Sequence, residues 1–309
     1  MTEAAGLVHR VHGRVVGRAR EIELVVAALA ADRHVLLEGP PGTGKSTLLR
    51  AVAHELGLGF EFVEGNAELT PARLVGHFDP ARVLTDGYDP DVFVDGPLVT
   101  AMRDGSLLYV EEINRIPEET LNVLITVMSE RELHVPRLGR VAAAAGFRLV
   151  AAMNPCPCGY LGSTQPTCRC TPEQVMRYQG RLSGPWLDRM DMQVWVPTLS
   201  PAQLLEAPDG ESSATVQARC EAAHARAIDR RGVANHALTA AQLQTLTLEP
   251  SAQQWLQQQA QRHAWSARGI HRVMRVAQTI ADLAQSDAIT HAHMAQAMHF
   301  RMPIARESG

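Results

Sequence analysis

The chain has 309 residues, a net charge of -4, and 46% hydrophobic against 20% charged residues. That balance supports roughly two packed domains. It excludes global disorder and a strongly basic nucleic-acid-coating protein, while leaving room for a local basic loop. The longest apolar run, residues 22–31, contains Glu23 and is too short to span a bilayer, and the basic N-terminus lacks the apolar segment of a signal peptide. The expectation is a cytoplasmic protein with no membrane segment.

Val15-Val16-Gly17-Arg18-Ala19-Arg20-Glu21-Ile22-Glu23 leads into a first helix running to about Ala31. His34-Val35-Leu36-Leu37-Glu38 then reads as a short buried strand. It runs directly into Gly39-Pro40-Pro41-Gly42-Thr43-Gly44-Lys45-Ser46, which fits G-x-x-x-x-G-K-[ST], the P-loop. Ser46 to Leu56 follows as a helix, with Leu48, Leu49, Val52, Ala53 and Leu56 on its apolar side. Strand, glycine-rich loop and helix in that order let backbone N–H groups and the positive helix N-terminus close around phosphate oxygens. Gly39 through Thr47 are therefore the candidate ATP-binding residues, with Lys45 reaching the β- and γ-phosphates and Ser46 holding Mg²⁺. Lys45 is the only lysine in the chain. A compact, flexible ammonium kept at the one position where it suits phosphate, among arginines everywhere else, points to chemistry.

Phe60 to Glu64 reads as a second strand. In the following Gly65-Asn66-Ala67-Glu68-Leu69-Thr70-Pro71, Asn66 or Thr70 is placed to cap a short helix. Residues 75–96 show no clean periodicity and contain Gly76, Pro80, Gly87, Pro90 and Gly96, so a long inserted loop is expected, a feature that usually carries function. Leu107-Leu108-Tyr109-Val110-Glu111-Glu112 is an apolar strand ending in two carboxylates, a Walker B element. Glu111 is the candidate for holding Mg²⁺ through water and Glu112 for polarising the attacking water. A strand meeting an acidic helix start would look the same without the P-loop.

Pro117 to Glu130 predicts a helix. Glu132 to Val141 alternates around Gly139 and predicts a β-hairpin, with Arg131, His134, Arg137 and Arg140 as a basic rim. The rim reads equally as a substrate-touching loop or a solvated hairpin. Phe147 to Met153 is the next core strand. It ends at Asn154, a polar group at the strand edge that is placed to orient water or is simply a strand terminator. Four of the five cysteines follow as two C-x-C pairs, Cys156/Cys158 and Cys168/Cys170. In the cytosol this spacing suits a Cys₄ Zn²⁺ site, with a reduced thiol cluster or a regulatory disulfide as alternatives.

Thr171 opens a helix to about Arg181, and Met192 to Val196 reads as the last core strand. Arg189, just before it, is a candidate arginine finger acting on a neighbouring subunit's γ-phosphate, or else a surface partner of Asp188 or Asp191. Composition shifts after Pro197, giving a boundary near Leu199. Residues 1–198 would form an α/β P-loop core and 199–309 a small all-α lid. The predicted lid helices cover about Ser213–Arg231, Thr239–Leu246, Pro250–His263, Ala267–Gln285 and Thr290–Phe300. Arg268, at the start of the fourth, is a candidate for reaching the γ-phosphate.

These pieces together resemble an AAA+ ATPase of the branch that includes MoxR proteins, magnesium chelatase ATPase subunits and ComM-type proteins. Residues 14–153 are similar to MoxR through Gly65-Asn66-Ala67-Glu68-Leu69-Thr70-Pro71, Asp95-Gly96-Pro97-Leu98 and Tyr109-Val110-Glu111-Glu112-Ile113-Asn114-Arg115. From Asn154 onward the chain is similar to ComM through Asn154-Pro155-Cys156-Pro157-Cys158-Gly159-Tyr160, Cys168-Arg169-Cys170-Thr171-Pro172 and Ser266-Ala267-Arg268. The resemblance implies a parallel sheet flanked by helices, ATP and Mg²⁺ as ligands, and a homo-oligomeric ring, commonly a hexamer. It implies sensor 1 at Asn154, the arginine finger at Arg189 and sensor 2 at Arg268. The MoxR side implies a chaperone-like remodeller of a protein substrate, with a von Willebrand A domain partner as one option. The ComM side implies a DNA-translocating motor, and the third branch a magnesium-chelatase-like subunit. MoxR proteins lack the cysteine loop, and the ComM protease-like N-terminal domain has no room ahead of this P-loop. A mixed relative or a chain recombined near Asn154 would explain both departures.

Overall fold

A computed structural model describes residues 18–30, 33–55, 57–163, 167–198 and 213–300. Residues 15–17 of the lead-in segment and 201–212 of the expected linker lie outside the described residues.

The core follows the apolar runs. Helix α1 (Ala19–Ala30) precedes β1 (Val35–Glu38), the glycine-rich loop and α2 (Lys45–Glu55). Next come β2 (Phe60–Glu64), β5 (Leu107–Glu111), β8 (Arg148–Met153) and β9 (Met192–Trp195), which join β1 in one five-stranded sheet of order β2-β5-β8-β1-β9. Every pairing in it is parallel. Parallel strands need helical crossovers on both faces, so the central strands β1, β5 and β8 are apolar apart from Glu38, Glu111 and Arg148 at their ends, while the edge strands β2 and β9 alternate with Glu61 and Gln193. Leu36, Leu108, Val110, Leu149 and Ala151 pack into one layer. Val35, Leu37, Leu107, Tyr109, Val150 and Ala152 pack into the other, against α1 and α2.

Residues 75–96 depart from the loop expected of them. Helix α3 (Pro71–Val75), capped by Thr70, leads into β3 (Gly76–Phe78), which pairs antiparallel with β4 (Phe93–Asp95). Between them sit α4 (Pro80–Asp86) and a 3₁₀ turn, Pro90–Val92. Asp79 and Asp89 each cap an orphan N–H, and Pro at the first turn pre-sets φ. Elements this short cannot display a period, which is why capping chemistry and not hydrophobicity announces them.

Helix α5 (Pro97–Asp104) returns the chain to β5, and α6 (Glu118–Glu130) ends at Arg131 in the left-handed region, φ 58°. The hairpin β6 (Glu132–Val135) and β7 (Gly139–Ala142) follows as expected. Its rim is less basic than the sequence suggests. Arg131 turns inward to the carbonyls of Ala144 and Phe147, and Arg140 pairs with Glu132. Arg137 instead lies 3.7 Å from the centre of the Tyr88 ring, joining the hairpin to the insert.

Helix α7 (Pro172–Gln179) starts at a capping box of Thr171 and Gln174, and the short α8 (Gly184–Leu187) leads to β9. The C-terminal part contains α9 (Ser213–Arg231), α10 (Ala240–Gln244), α11 (Pro250–Arg262), α12 (Ala267–Leu283) and α13 (His291–His299). Their core holds Leu243, Leu256, Val273, Ala277, Ala281 and Met294. Buried Asp282 ties it together, accepting from Arg230 at 2.6 Å, Asn235 at 2.7 Å and Gln278 at 3.1 Å. The helices meet the sheet through Phe300, whose carbonyl accepts from Gln193 N at 2.7 Å, and through Arg272, whose Nε lies 3.2 Å from Asp191 Oδ1. Among the described residues no helix is long and apolar enough to cross a membrane.

Candidate functional site

The strands are parallel, so their C-terminal ends share one edge of the sheet, and the chain crosses that edge where β1, β5 and β8 stop. A cleft of about 430 Å³ opens there. It is lined by Pro41 to Thr47, by Glu64, Glu111 and Glu112, and by Ala152, Met153 and Asn154. Three sequence-separated motifs thus converge on one cleft.

Gly42 and Gly44 adopt φ of 73° and 77°, conformations open to glycine, so the loop can turn its amides inward. Thr43 Oγ1 donates to Pro40 O at 3.0 Å, closing the loop on itself. Arg18, buried, donates to Thr43 O at 3.0 Å, so the lead-in segment touches the loop it precedes. Lys45 folds back, donating from Nζ to Gly39 O and Pro40 O, each at 2.9 Å. Burial pulls its ammonium down to about 8, opposed by the Glu111 carboxylate and reinforced by Arg18. A bound phosphate would add negative charge beside this amine, in the same sense as Glu111.

Across the cleft, Glu111 ends β5. Glu112 then takes a left-handed backbone, φ 49° and ψ 41°, which costs roughly 1–3 kcal/mol and is typical of a residue held for function. Its Oε2 meets Arg115 Nη1 at 2.5 Å, and this carboxylate holds the guanidinium's pKa above its usual value. Ser46 and Glu111 offer hard oxygen donors, a set that fits Mg²⁺.

Two residues of this region escape motif reading. Glu64 faces Glu111 in register at the end of β2, so a third carboxylate enters the cleft. An acidic residue ending the neighbouring strand was the available signal. Tyr109 is fully buried, two residues before Glu111 and on the same side of the strand. Burial raises its phenol strongly, as does the nearby Glu111 carboxylate. An apolar-looking strand position gave no hint of this hydroxyl.

Arg189 and Arg268 do not join the cleft. Asp191 N and Met192 N donate to His34 O, at the edge where the strands begin. Arg189 lies beside them and bonds Ser129 Oγ and Pro185 O. Arg272 donates to Arg189 O at 3.3 Å, and Arg268 sits exposed one helical turn earlier on the same face of α12. The length of β1, roughly 13 Å, separates this edge from the phosphate loop.

The four cysteines form a second site. Sγ–Sγ distances of 3.4, 3.7 and 3.6 Å join Cys156, Cys158 and Cys168, and the four sulfurs all lie within 4.8 Å of one another. Burial alone would raise Cys158, but backbone N–H donors from Arg169 and Tyr160 and the neighbouring thiols bring it down to about 6. Burial and the same neighbours push Cys168 up. Cys₄ sulfur donors in this compass fit Zn²⁺. The side chain of Cys220 lies outside the described residues.

Comparison with known proteins agrees with this geometry. Residues 34–167 match the AAA domain of the dynein-related subfamily, and residues 210–301 match the C-terminal domain of the magnesium chelatase subunit ChlI. YifB of Escherichia coli, itself uncharacterised, is 32% identical over 93% of this chain and 59% of its own length. The competence protein ComM of Haemophilus influenzae is 28% identical over 94% of this chain and 60% of its own. The chain therefore spans about three fifths of the relatives it matches. These alignments span 93% and 94% of the chain, so one kind of relative accounts for both halves. A crystal structure of a Cytophaga hutchinsonii protein described as an ATPase superposes with TM-score 0.59, covering 97% of this chain and 86% of that one at 16% identity, which supports the fold.

Proposed function

We propose that this chain, whose AAA domain and magnesium-chelatase-type C-terminal domain are homologous to YifB and ComM, hydrolyses ATP in a homo-oligomeric ring to drive movement on DNA. The observation that carries the hydrolytic part is the convergence of Lys45, Ser46, Glu111, Glu112 and Asn154 on one cleft. Lys45 leaves the Gly39 and Pro40 carbonyls for the β- and γ-phosphates. Ser46 and Glu111 would hold Mg²⁺, which would offset phosphate charge. Glu112 leaves Arg115 and takes a proton from water aligned by Asn154.

Arg189 cannot complete this site in its own subunit, because it lies at the opposite edge of the sheet. It serves a neighbour's γ-phosphate, and Arg268, on the same side, faces the same neighbour. We divide the chain at 198/199 into the core and a lid that presents these arginines. The cytoplasm, where thiols stay reduced, suits the four cysteines as zinc ligands.

The DNA reading rests on relatedness to a competence protein and on Arg137 stacked against half-exposed Tyr88. A cation on an exposed ring is the kind of surface on which unpaired bases stack. The insert favours a second reading, a protein partner. It carries Asp79, Asp86, Asp89, Asp91 and Asp95 against Arg82, and its Leu84 is 88% exposed. Steady-state ATPase with and without single-stranded DNA separates the two, with Glu112→Gln as the blank. Salt-sensitive stimulation that Arg137→Ala weakens is expected. A rate indifferent to DNA would move the assignment to a protein substrate.

A further inference from the structure

The cysteine loop packs behind the wall of the nucleotide cleft, against Pro41. Its first cysteine comes two residues after Asn154, and it ends at Thr171, the N-cap of α7. On the way, Gly159 lies against the P-loop with φ 85°, and a Cβ there would come within 2.6 Å of Pro41 Cδ. Gly162 rests on the Trp195 ring at the end of β9, where a Cβ would stand 3.4 Å away. Helix α7, begun directly after Cys170, sends Gln179 Nε2 back to Pro155 O at 3.0 Å. Tyr178 beside it packs against the core cluster that holds Ile113, and burial raises its phenol. The described residues between Asn154 and Gln179 are thus held at three places: the thiols, Pro41 and Trp195.

The described residues of this loop form turns but no helix or strand, and only Cys156 among the four thiols is fully buried. Ordering such a segment costs conformational entropy that sulfur–sulfur contacts cannot offset. A tetrahedral metal can, because its binding free energy becomes folding free energy for the segment that carries the ligands.

We propose that a zinc ion on Cys156, Cys158, Cys168 and Cys170 is part of the scaffold of the ATP site, so that zinc and nucleotide bind cooperatively through the Gly159–Pro41 contact and the Asn154 backbone. The proposal rests on the zinc reading of the cluster and adds the coupling. Linkage requires it to be reciprocal: the factor by which zinc tightens nucleotide is the factor by which nucleotide tightens zinc.

The experiment uses the full chain. Metal analysis comes first, and a protein that neither contains nor takes up zinc overturns the metal reading and the coupling with it. With zinc present, calorimetric titration of a non-hydrolysable ATP analogue with Mg²⁺ compares loaded and stripped protein, and a chelator competition measures zinc affinity with and without the analogue. Stripping is expected to weaken nucleotide binding by about tenfold, with the same factor in the reverse titration. Equal affinities sink the coupling and leave the zinc site standing. Gly159→Ala supplies a second test that does not depend on the stripped protein keeping its fold. It keeps all four thiols and is expected to hold one zinc and a native circular dichroism spectrum, while the new Cβ pushes Pro41 and nucleotide affinity drops about tenfold. Wild-type nucleotide affinity in that variant overturns the proposal.

Discussion

The two edges of the parallel sheet hold different halves of the proposed chemistry. Where the strands end, Lys45, Ser46, Glu64, Glu111, Glu112 and Asn154 line one cleft. Where they begin, Asp191 binds Arg272 and Arg33, and Arg189 and Arg268 lie nearby with no phosphate loop of their own within reach. An edge that binds phosphate without an arginine to finish the reaction, and an edge whose Arg189 and Arg268 lie a strand's length from that site, make sense as faces that meet between subunits. On the proposed mechanism a monomer is half an enzyme twice over.

Glu112→Gln offers the largest expected effect. The ending edge loses its base, so turnover should fall at least a hundredfold, roughly the contribution of a general base, with ATP binding retained. Full turnover would remove Glu112 from the mechanism. Arg189→Ala tests the starting edge. It should lower kcat by about 10³-fold while leaving nucleotide affinity of isolated protomers unchanged. The sharper form mixes Arg189→Ala with Lys45→Ala protomers, each inactive alone. Recovery of activity in the mixture would show that the edges come from different subunits, and a cis arrangement predicts none.

Asp282→Ala probes the frame that carries Arg268 and Arg272. It strips a buried carboxylate from Arg230, Asn235 and Gln278, so chemical denaturation should report a loss of about 3 kcal/mol. A change below about 0.5 kcal/mol would mean that the network is not holding the helices. The smallest effect is in pH. Burial lowers Lys45 to about 8 in the free protein, and bound phosphate must raise it. Below pH 8 the amine is already protonated and nucleotide affinity should be flat. Above it, binding must take up a proton, so affinity should fall by up to tenfold per pH unit. Calorimetry in two buffers of different ionisation enthalpy would detect that proton, and its absence would place Lys45 outside the phosphate contact.

The ending edge was legible because each of its parts is contiguous. Gly39 to Ser46 encodes a turn, a helix start and a cation in eight residues, and Glu111-Glu112 closes an apolar run. The parallel sheet was expected only through the family resemblance that those motifs carry, since no strand's own run records its direction and the edge strands β2 and β9 alternate. The insert at 75–96 was not legible as structure, since its order comes from Asp79, Asp89 and paired three-residue strands too short to show a period. The basic rim was legible only as composition. Arg131 and Arg140 are spent on Ala144, Phe147 and Glu132, which leaves Arg137 on Tyr88.

By itself the sequence determined the P-loop, the Walker B carboxylates, the cysteine pairs and the helical C-terminal region, because local spacing carries both backbone geometry and chemistry. Only the tertiary structure decided that Tyr109 and Glu64 stand beside Glu111 and that Gly159 braces Pro41. It alone put Arg189 and Arg268 on the far edge from Lys45. These facts depend on strand order and direction, which bring together residues far apart in the chain or hold them a strand's length apart, and no local pattern records either.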